Sequence, residues 1–397
     1  MKKTDLMTND QKGLAPSIIL LFAITSGLAV ANVYFAQPLL DLIAHSLDIP
    51  ASSIGIVVTM TQIGYALGLL FIVPLGDLLN RKRLIIGQML LLILALVVTG
   101  LASNLWLFLS AMTIVGCMAV VVQVLVAYTA VLANAEQRGQ AIGIVTSGVV
   151  LGILLARLFS GAVADLVGWR AVYYFSAILI FLMSILLLYV MPKYQDQQTS
   201  HSYIKLISSA FHLLLTEKTL QVRGILALLI FASFSVLWSA MVLPLSTEPF
   251  LLSHTQIGLF GLAGMFGALA ATKAGKWADQ GIEQKVTGFS LILLIISWMA
   301  IGSLYISLIM LIIGVVILDF AVQAVHVTNQ SLIFATNSHA QSRLVGIYMF
   351  FYSIGSALGA ITATSVYVLW GWKAVSSLGM VFSIIAFIFW WVTKPKQ

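Results

Sequence analysis

The sequence predicts an all-α membrane protein of twelve transmembrane helices, arranged in two pseudo-symmetric six-helix halves with both chain ends in the cytoplasm. Three observations carry this reading. Of 397 residues, 61% are hydrophobic and 8% charged, with a mean hydropathy of +1.06, and a water-soluble fold of this size has too little interior to hide such a chain. Apolar runs of about 18 to 25 residues, long enough to cross a hydrocarbon core of roughly 30 Å, recur along the whole length. The loop Val73-Pro-Leu-Gly-Asp77-Leu-Leu-Asn80-Arg81-Lys82-Arg83 also has a fainter copy, Gly275-Lys-Trp-Ala-Asp279-Gln-Gly281-Ile-Glu283-Gln-Lys285. The two aspartates stand 202 positions apart, half the chain, which predicts a duplicated membrane unit and a transporter rather than an enzyme.

The spans follow in order. Span 1 (16–39) comes after fifteen polar residues; it is too long for a secretory signal, lacks a small-residue cleavage site, and carries Thr25, Ser26, Asn32, Tyr34 and Gln37. Span 2 (53–75) has Gly64 and Gly68 four residues apart, and span 3 (84–102) is mostly Leu, Ile and Val. Span 4 (106–131) holds Gln123, Tyr128, Thr129 and the single cysteine, Cys117, so neither a disulfide framework nor a cysteine metal site is expected. Span 5 (140–164) repeats small residues at Gly148, Gly152, Ala156, Ser160 and Ala164 and includes Arg157, while span 6 (171–191) is again aliphatic. Residues 192–222 form the longest polar stretch, opened by Pro192, and predict a cytoplasmic linker with an amphipathic surface helix over 203–215.

The second half runs in parallel. Span 7 (224–246) bears Ser233, Ser235, Trp238 and Ser239; span 8 (254–274) bears Gly267, Ala271 and Gly275; span 9 (286–302) is aliphatic. Span 10 (306–332) is the most polar, with Asp319, Gln323, His326, Thr328, Asn329 and Gln330; span 11 (344–368) has Gly355 and Gly359; span 12 (374–393) closes the chain. Glu136-Gln-Arg138 matches Gln341-Ser-Arg343, Gly168-Trp-Arg170 matches Gly371-Trp-Lys373, and Gln123 matches Gln323. The units expected are therefore an N-terminal half (1–191), the linker (192–222) and a C-terminal half (223–397).

Character changes with a period of three. Polar side chains facing lipid are costly, so spans 1, 4, 7 and 10 are expected to surround a wet cavity. Small residues four apart let helix backbones approach, so spans 2, 5, 8 and 11 are expected to pack the halves together, leaving spans 3, 6, 9 and 12 to face lipid.

Charge sets the orientation. Seventeen of the 20 lysines and arginines fall in segments that are cytoplasmic if the N-terminus is inside; Arg170 and Lys373 lie outside, and Arg157 within a span. The positive-inside rule then gives both ends cytoplasmic. The net charge of +7 follows from this topology, so no nucleic-acid partner is inferred.

These residues resemble the major facilitator superfamily: twelve spans in two halves, the Asp77–Arg83 loop, its copy at Asp279 and the glycine-rich span 5. Asn32-Val-Tyr34-Phe-Ala-Gln37-Pro38 resembles span 1 of its bacterial drug–proton antiporter and sugar-efflux branch. Three positions depart from the pattern: Val73 replaces the loop's leading glycine, Met112 stands at the place of the antiporters' span 4 arginine, and Ile153 replaces a proline in span 5. The resemblance implies that Asp77 with Arg81 and Glu136 with Arg138 latch the cytoplasmic side in the outward-open state, with Asp279 and Arg343 as the second-half counterparts. A plain positive-inside anchor is the alternative and leaves Asp77 unexplained.

Asp319 is the strongest mechanistic candidate. It lies about 13 residues, or roughly 20 Å, from each end of span 10, so an ionised carboxylate there is expected to face the cavity and to carry a coupling proton. The other reading is a neutral carboxyl bonded to a neighbouring helix. His326 is a second proton candidate or a plain hydrogen-bonding group. Arg157, roughly 26 Å along span 5, either snorkels or pairs with Asp165, Asp41 or Glu248, or it closes the outer gate or binds an anionic group. Asn32, Gln37, Gln123, Gln323 and Asn329 could orient a solute, with Tyr34, Tyr128 and Trp238 as apolar surface; bonding between helices is the equal alternative.

The reading that results is a secondary transporter of a bacterial inner membrane, exporting a small organic solute against inward proton flow. With no Walker-type loop, ATP is not expected to drive it; no cofactor, no metal and no second copy are expected to be required. A proton-coupled importer or facilitator of the same fold stays open, as does a transporter-shaped receptor, whereas a membrane enzyme lacks the paired aspartates or metal cluster it needs.

Overall fold

The computed structural model describes residues 14–134, 136–192, 202–270, 282–336 and 341–394. Nine of the described helices are long and apolar enough to cross a membrane by length and composition alone. The last of them continues through Gly371, whose φ of 71° breaks it into spans 11 and 12, and Pro16–Ala31 and His254–Ala270 bring the described spans to twelve. The remaining helices are Ile56–Phe71, Arg81–Leu101, Leu105–Ala119 with Val121–Leu132, Arg138–Val167, Trp169–Val190, Lys218–Ala240, Glu283–Gly302 and Leu308–Thr336. Glycine is required at the corner between spans 5 and 6, where Gly168 has φ 91°, and again at Gly371 in the same place of the second half.

Local chemistry explains the ends. Asn80 and Asn104 accept from the backbone of Arg83 (3.1 Å) and Leu107 (2.9 Å), capping spans 3 and 4. Lys82 donates to the carbonyls of Leu188 and Met191, both at 2.8 Å, closing the far end of span 6. Span 1 is shorter than expected. Its helix ends at Ala31, and the chain passes through a tight Gln37–Leu39 turn, where Pro38 has no N–H to continue a helix, into a short helix Leu40–Ser46. Span 4 is interrupted at Val120, within a run of three β-branched valines that crowd a helical turn. The amphipathic linker helix is present at Tyr203–Thr216. Span 7 begins at Lys218, inside the stretch expected as linker, and Arg223 is a buried residue of the span.

Spans 2, 5, 8 and 11 join the halves as expected, but their small residues also pack helices within each half. Gly148 and Gly152 of span 5 press on the backbones of Ala23 and Gly27 in span 1, and Gly355 and Gly359 of span 11 press on Leu228 and Ala232 in span 7. Gly64 of span 2 meets Thr113 of span 4, and 203 positions later Gly267 of span 8 meets Val316 of span 10. Most of the stripes therefore pack helices inside each half. Between halves, spans 5 and 8 and spans 2 and 11 make the broad contacts, with Gly161 against His254 and Gly55 against Ala360 at the outer ends. Exposed Leu91, Leu94, Ile178, Phe181, Ile292, Ile296, Ile385 and Ile388 put spans 3, 6, 9 and 12 on the lipid side.

Candidate functional site

A cavity of about 340 Å³ lies between the halves, room for a small organic molecule. Spans 1, 4, 7 and 10 contribute to its wall as expected, and spans 2, 5 and 11 join them. The polar wall is Tyr34, Gln62, Tyr65, Gln123, Thr146, Gln323, His326, Gln330 and Tyr352, set among Val, Ile, Leu, Met and Phe. It extends to Ile142 and Val345, near the cytoplasmic ends of spans 5 and 11. At the other end Gly161 of span 5 is pressed on the backbone of His254 and Gly55 of span 2 on that of Ala360. The halves are thus closed together on the outer side of the cavity.

Tyr34 of span 1 and Tyr352 of span 11 join hydroxyls across the halves at the cavity wall. Behind them sits Arg157, 1% exposed. Its guanidinium lies 3.7 Å over the Trp238 ring and 5.4 and 5.6 Å from those of Tyr34 and Phe234. Its Nε donates to Gln37 Oε1 at 2.9 Å. Asp319 is buried, and its carboxylate lies with the edge of the Trp238 ring against Gly264. The Gly264 backbone holds the carboxylate in place: a Cβ there would lie 3.0 Å from Asp319 Cγ and 3.5 Å from Trp238 Cζ2. Both Nη atoms of Arg157 lack hydrogen-bond partners among the described residues. One half therefore supplies a buried cation, the other a buried carboxylate, and glycine and tryptophan fix their approach.

This placement corrects three expectations. Arg157 does not snorkel. Asp165 and Asp41, two of the acids expected to pair with it, are engaged by His254, and the arginine turns inward to Gln37, Trp238 and Asp319. Asp319 lies behind the described cavity wall rather than on it.

Of the other candidates, Tyr34, Gln123, Gln323 and His326 line the cavity. Gln123 donates to Tyr65 at 3.4 Å, and His326 Nδ1 lies 2.8 Å from Tyr348 Oη. The rest bond between elements: Asn32 accepts from Ser176 (2.6 Å), Tyr128 donates to the Pro192 carbonyl (3.0 Å), and Asn329 accepts from Arg223 (3.3 Å). Gln37 and Trp238 belong to the Arg157 cluster. Sequence reasoning missed Gln62 and Tyr65, whose signal was polarity within a glycine-classed span, and Tyr352. On the cytoplasmic side Asp77 pairs with Arg81 at 3.3 Å, Arg343 donates to Ser209 at 2.9 Å, and Glu136 and Arg138 stand exposed. Asp279 lies outside the described residues.

The sequence model of the Major Facilitator Superfamily matches twice, over residues 21–222 and 223–397. The chain is 42% identical over 391 residues to the uncharacterized transporter YgaY of Escherichia coli O157:H7, covering 98% of this chain and 99% of that one. It is similar in structure to a bacterial homolog of the human lysosomal transporter Spinster in an inward-facing, unoccupied conformation, with a TM-score of 0.77 at 16% identity over 96% of this chain and 97% of that one. The nucleoside transporter NupG gives 0.75 at 16% identity over 95% and 100%. At such identity the solved structures carry the fold alone, while the family match and the transporter relatives make this a multi-pass membrane transporter of a small-molecule solute, and not an enzyme. Two matched halves around a central cavity are the architecture of that family, and the chain belongs to the major facilitator superfamily.

Proposed function

We propose that the protein is a proton-coupled secondary transporter of the bacterial inner membrane that exports a small, uncharged organic solute by alternating access, working as a monomer. The halves 1–191 and 223–397 rock about the cavity, and 192–222 links them. The observation that carries the proposal is that Arg157 of one half and Asp319 of the other are both buried beside Trp238, two opposite charges brought near each other across the halves. Removing the charge of one member of such a pair costs several kcal/mol, enough to shift a two-state equilibrium by orders of magnitude. A proton on Asp319 removes that charge, so proton occupancy biases how the halves sit. Uncharged cargo follows from the wall: amides, phenols, an imidazole and apolar side chains line it, and no Asp, Glu, Lys or Arg stands among its described residues. An ionised solute entering there would lose its hydration with no opposite charge to replace it. Export is the direction implied by the resemblance of span 1 to the efflux branch.

Purified protein in liposomes under an imposed pH gradient, screened with neutral solutes, tests this. Gradient-driven flux in the wild type is expected to be lost in Asp319→Asn while solute exchange persists. Equal coupled flux in the variant would sink the assignment of Asp319, and wild-type flux indifferent to the gradient would make the protein a facilitator.

A further inference from the structure

A second cluster joins the halves at their outer ends. Asp165, near the end of span 5, accepts from the backbone N–H groups of His254 (3.1 Å) and Thr255 (2.7 Å) and from the Thr255 hydroxyl (2.6 Å). A carboxylate of the N-terminal half thus caps span 8 of the C-terminal half, where a helix start favours negative charge. The His254 ring lies between two acids. Its Nδ1 is 3.1 Å from Asp165 Oδ1, and its Nε2 is 3.0 Å from both oxygens of Asp41, which stands on the short helix after span 1. Below the cluster Gly161 meets the His254 backbone, and Gly258 meets the backbone of Arg157 and Leu158, so no layer of side chains separates spans 5 and 8.

The opposite outer edge, between spans 2 and 11, closes without charge. Gly55 N donates to Thr364 Oγ1 (3.2 Å), Thr59 Oγ1 to the Ala357 carbonyl (2.9 Å) and Ser365 Oγ to the Ser52 carbonyl (2.8 Å). The two edges close together but by different chemistry.

We propose that Asp41, His254 and Asp165 form the outer clasp of the transport cycle: the three contacts hold the cavity shut on the outside in this state and are broken each time it opens outward. Histidine suits the task because its two ring nitrogens engage two carboxylates at once, and both contacts are charge-assisted when the ring carries two protons. The three side chains are 14%, 17% and 25% exposed for His254, Asp41 and Asp165, so water can take over their contacts when the clasp parts. It acts on gate closure and does not depend on which solute moves or on whether protons drive it.

The test needs no solute. In a Cys117→Ala background, Val150→Cys on the cavity wall is labelled with a membrane-impermeant maleimide, applied separately to each side of reconstituted vesicles. With the clasp intact, labelling is expected from the cytoplasmic side. Asp41→Asn and His254→Ala are each expected to raise outer-side labelling by about fivefold, since partly exposed ion pairs each shift an equilibrium by a factor of a few, and to lower cytoplasmic-side labelling. Asp41→Asn leaves the Asp165 cap of span 8 in place, so its effect is not a disturbed helix start. Unchanged labelling in Asp41→Asn overturns the proposal, and so does a rise on both sides, which would report general loosening.

Discussion

Alanine at position 264 separates the geometry of the charge pair from its charge. On its own, replacing a glycine inside a helix adds about 1 kcal/mol of stability through helix propensity. Here the new methyl would occupy the place of Asp319 Oδ2, with Asp319 Cγ 3.0 Å and Trp238 Cζ2 3.5 Å from it. Such overpacking costs roughly 1–3 kcal/mol, so the net change in stability is between about zero and 2 kcal/mol, a few degrees at most. The carboxylate relieves the overlap by turning away from Trp238 and the guanidinium stacked on it. Arg157 then keeps its charge in a buried site with the acid out of place, which disturbs the arrangement the proposal depends on. Gly264→Ala is therefore expected to fold and to melt within a few degrees of wild type, while gradient-driven flux in liposomes falls by more than tenfold. Gly87→Ala, where nothing lies within 4 Å of the new methyl, is the control and should transport normally. Wild-type coupled flux in Gly264→Ala would refute the claim that the placement of Asp319 matters.

Two other perturbations bear on the same structure. Arg157→Lys keeps the charge but loses the planar stack 3.7 Å over Trp238 and the 2.9 Å bond from Nε to Gln37; at about 2–4 kcal/mol together, the loss is expected to cut flux more than tenfold, and full activity with lysine would show that charge alone suffices. Gly148→Val places a branched side chain against the Ala23 backbone, so span 1 must move away from span 5, and size-exclusion chromatography is expected to show loss of the monodisperse protein; a normal profile would mean that the backbones need not approach closely.

The spans were legible because length and apolarity are properties of a single segment, and the loop repeat disclosed the halves. Where two helices meet is a property of pairs, and there the reading was weaker. Arg157 and Asp319 were each visible as charges inside the membrane, but they lie 162 positions apart in different halves, and nothing local says that their faces meet. Asn32, Tyr128 and Asn329 were candidates for the cavity because they sit on polar spans. A polar side chain in lipid is equally satisfied by a neighbouring helix, and Ser176, the Pro192 carbonyl and Arg223 satisfy them. Gln62 and Tyr65 escaped for the opposite reason: the glycines of span 2 marked it for packing, yet a helix shows one face to span 4 and another to the cavity.

The two halves are alike in packing and unlike in charge, and the difference falls at the proposed working parts. The packing fixes the correspondence. Spans 4 and 10 align at an offset of 203, from Thr113 to Val316, and spans 5 and 11 at the same offset, from Gly168 to Gly371. On that alignment Asp319 corresponds to Gly116 and Arg157 to Ala360. Gly116 packs on the backbone of Thr61, and the Ala360 backbone lies against Gly55 at the neutral outer edge. The same holds for the clasp: span 8 with span 5 is charged at its outer end, and its counterpart, span 2 with span 11, is closed by hydroxyls and carbonyls. A duplicated fold needs its close backbone contacts in both copies, because each half must pack. Two buried opposite charges have no such necessity; they are costly to desolvate and add little to stability over apolar packing. Their presence across the halves and beside the cavity, with no counterpart at the equivalent described positions, is better explained by a requirement of the transport cycle than by one of folding.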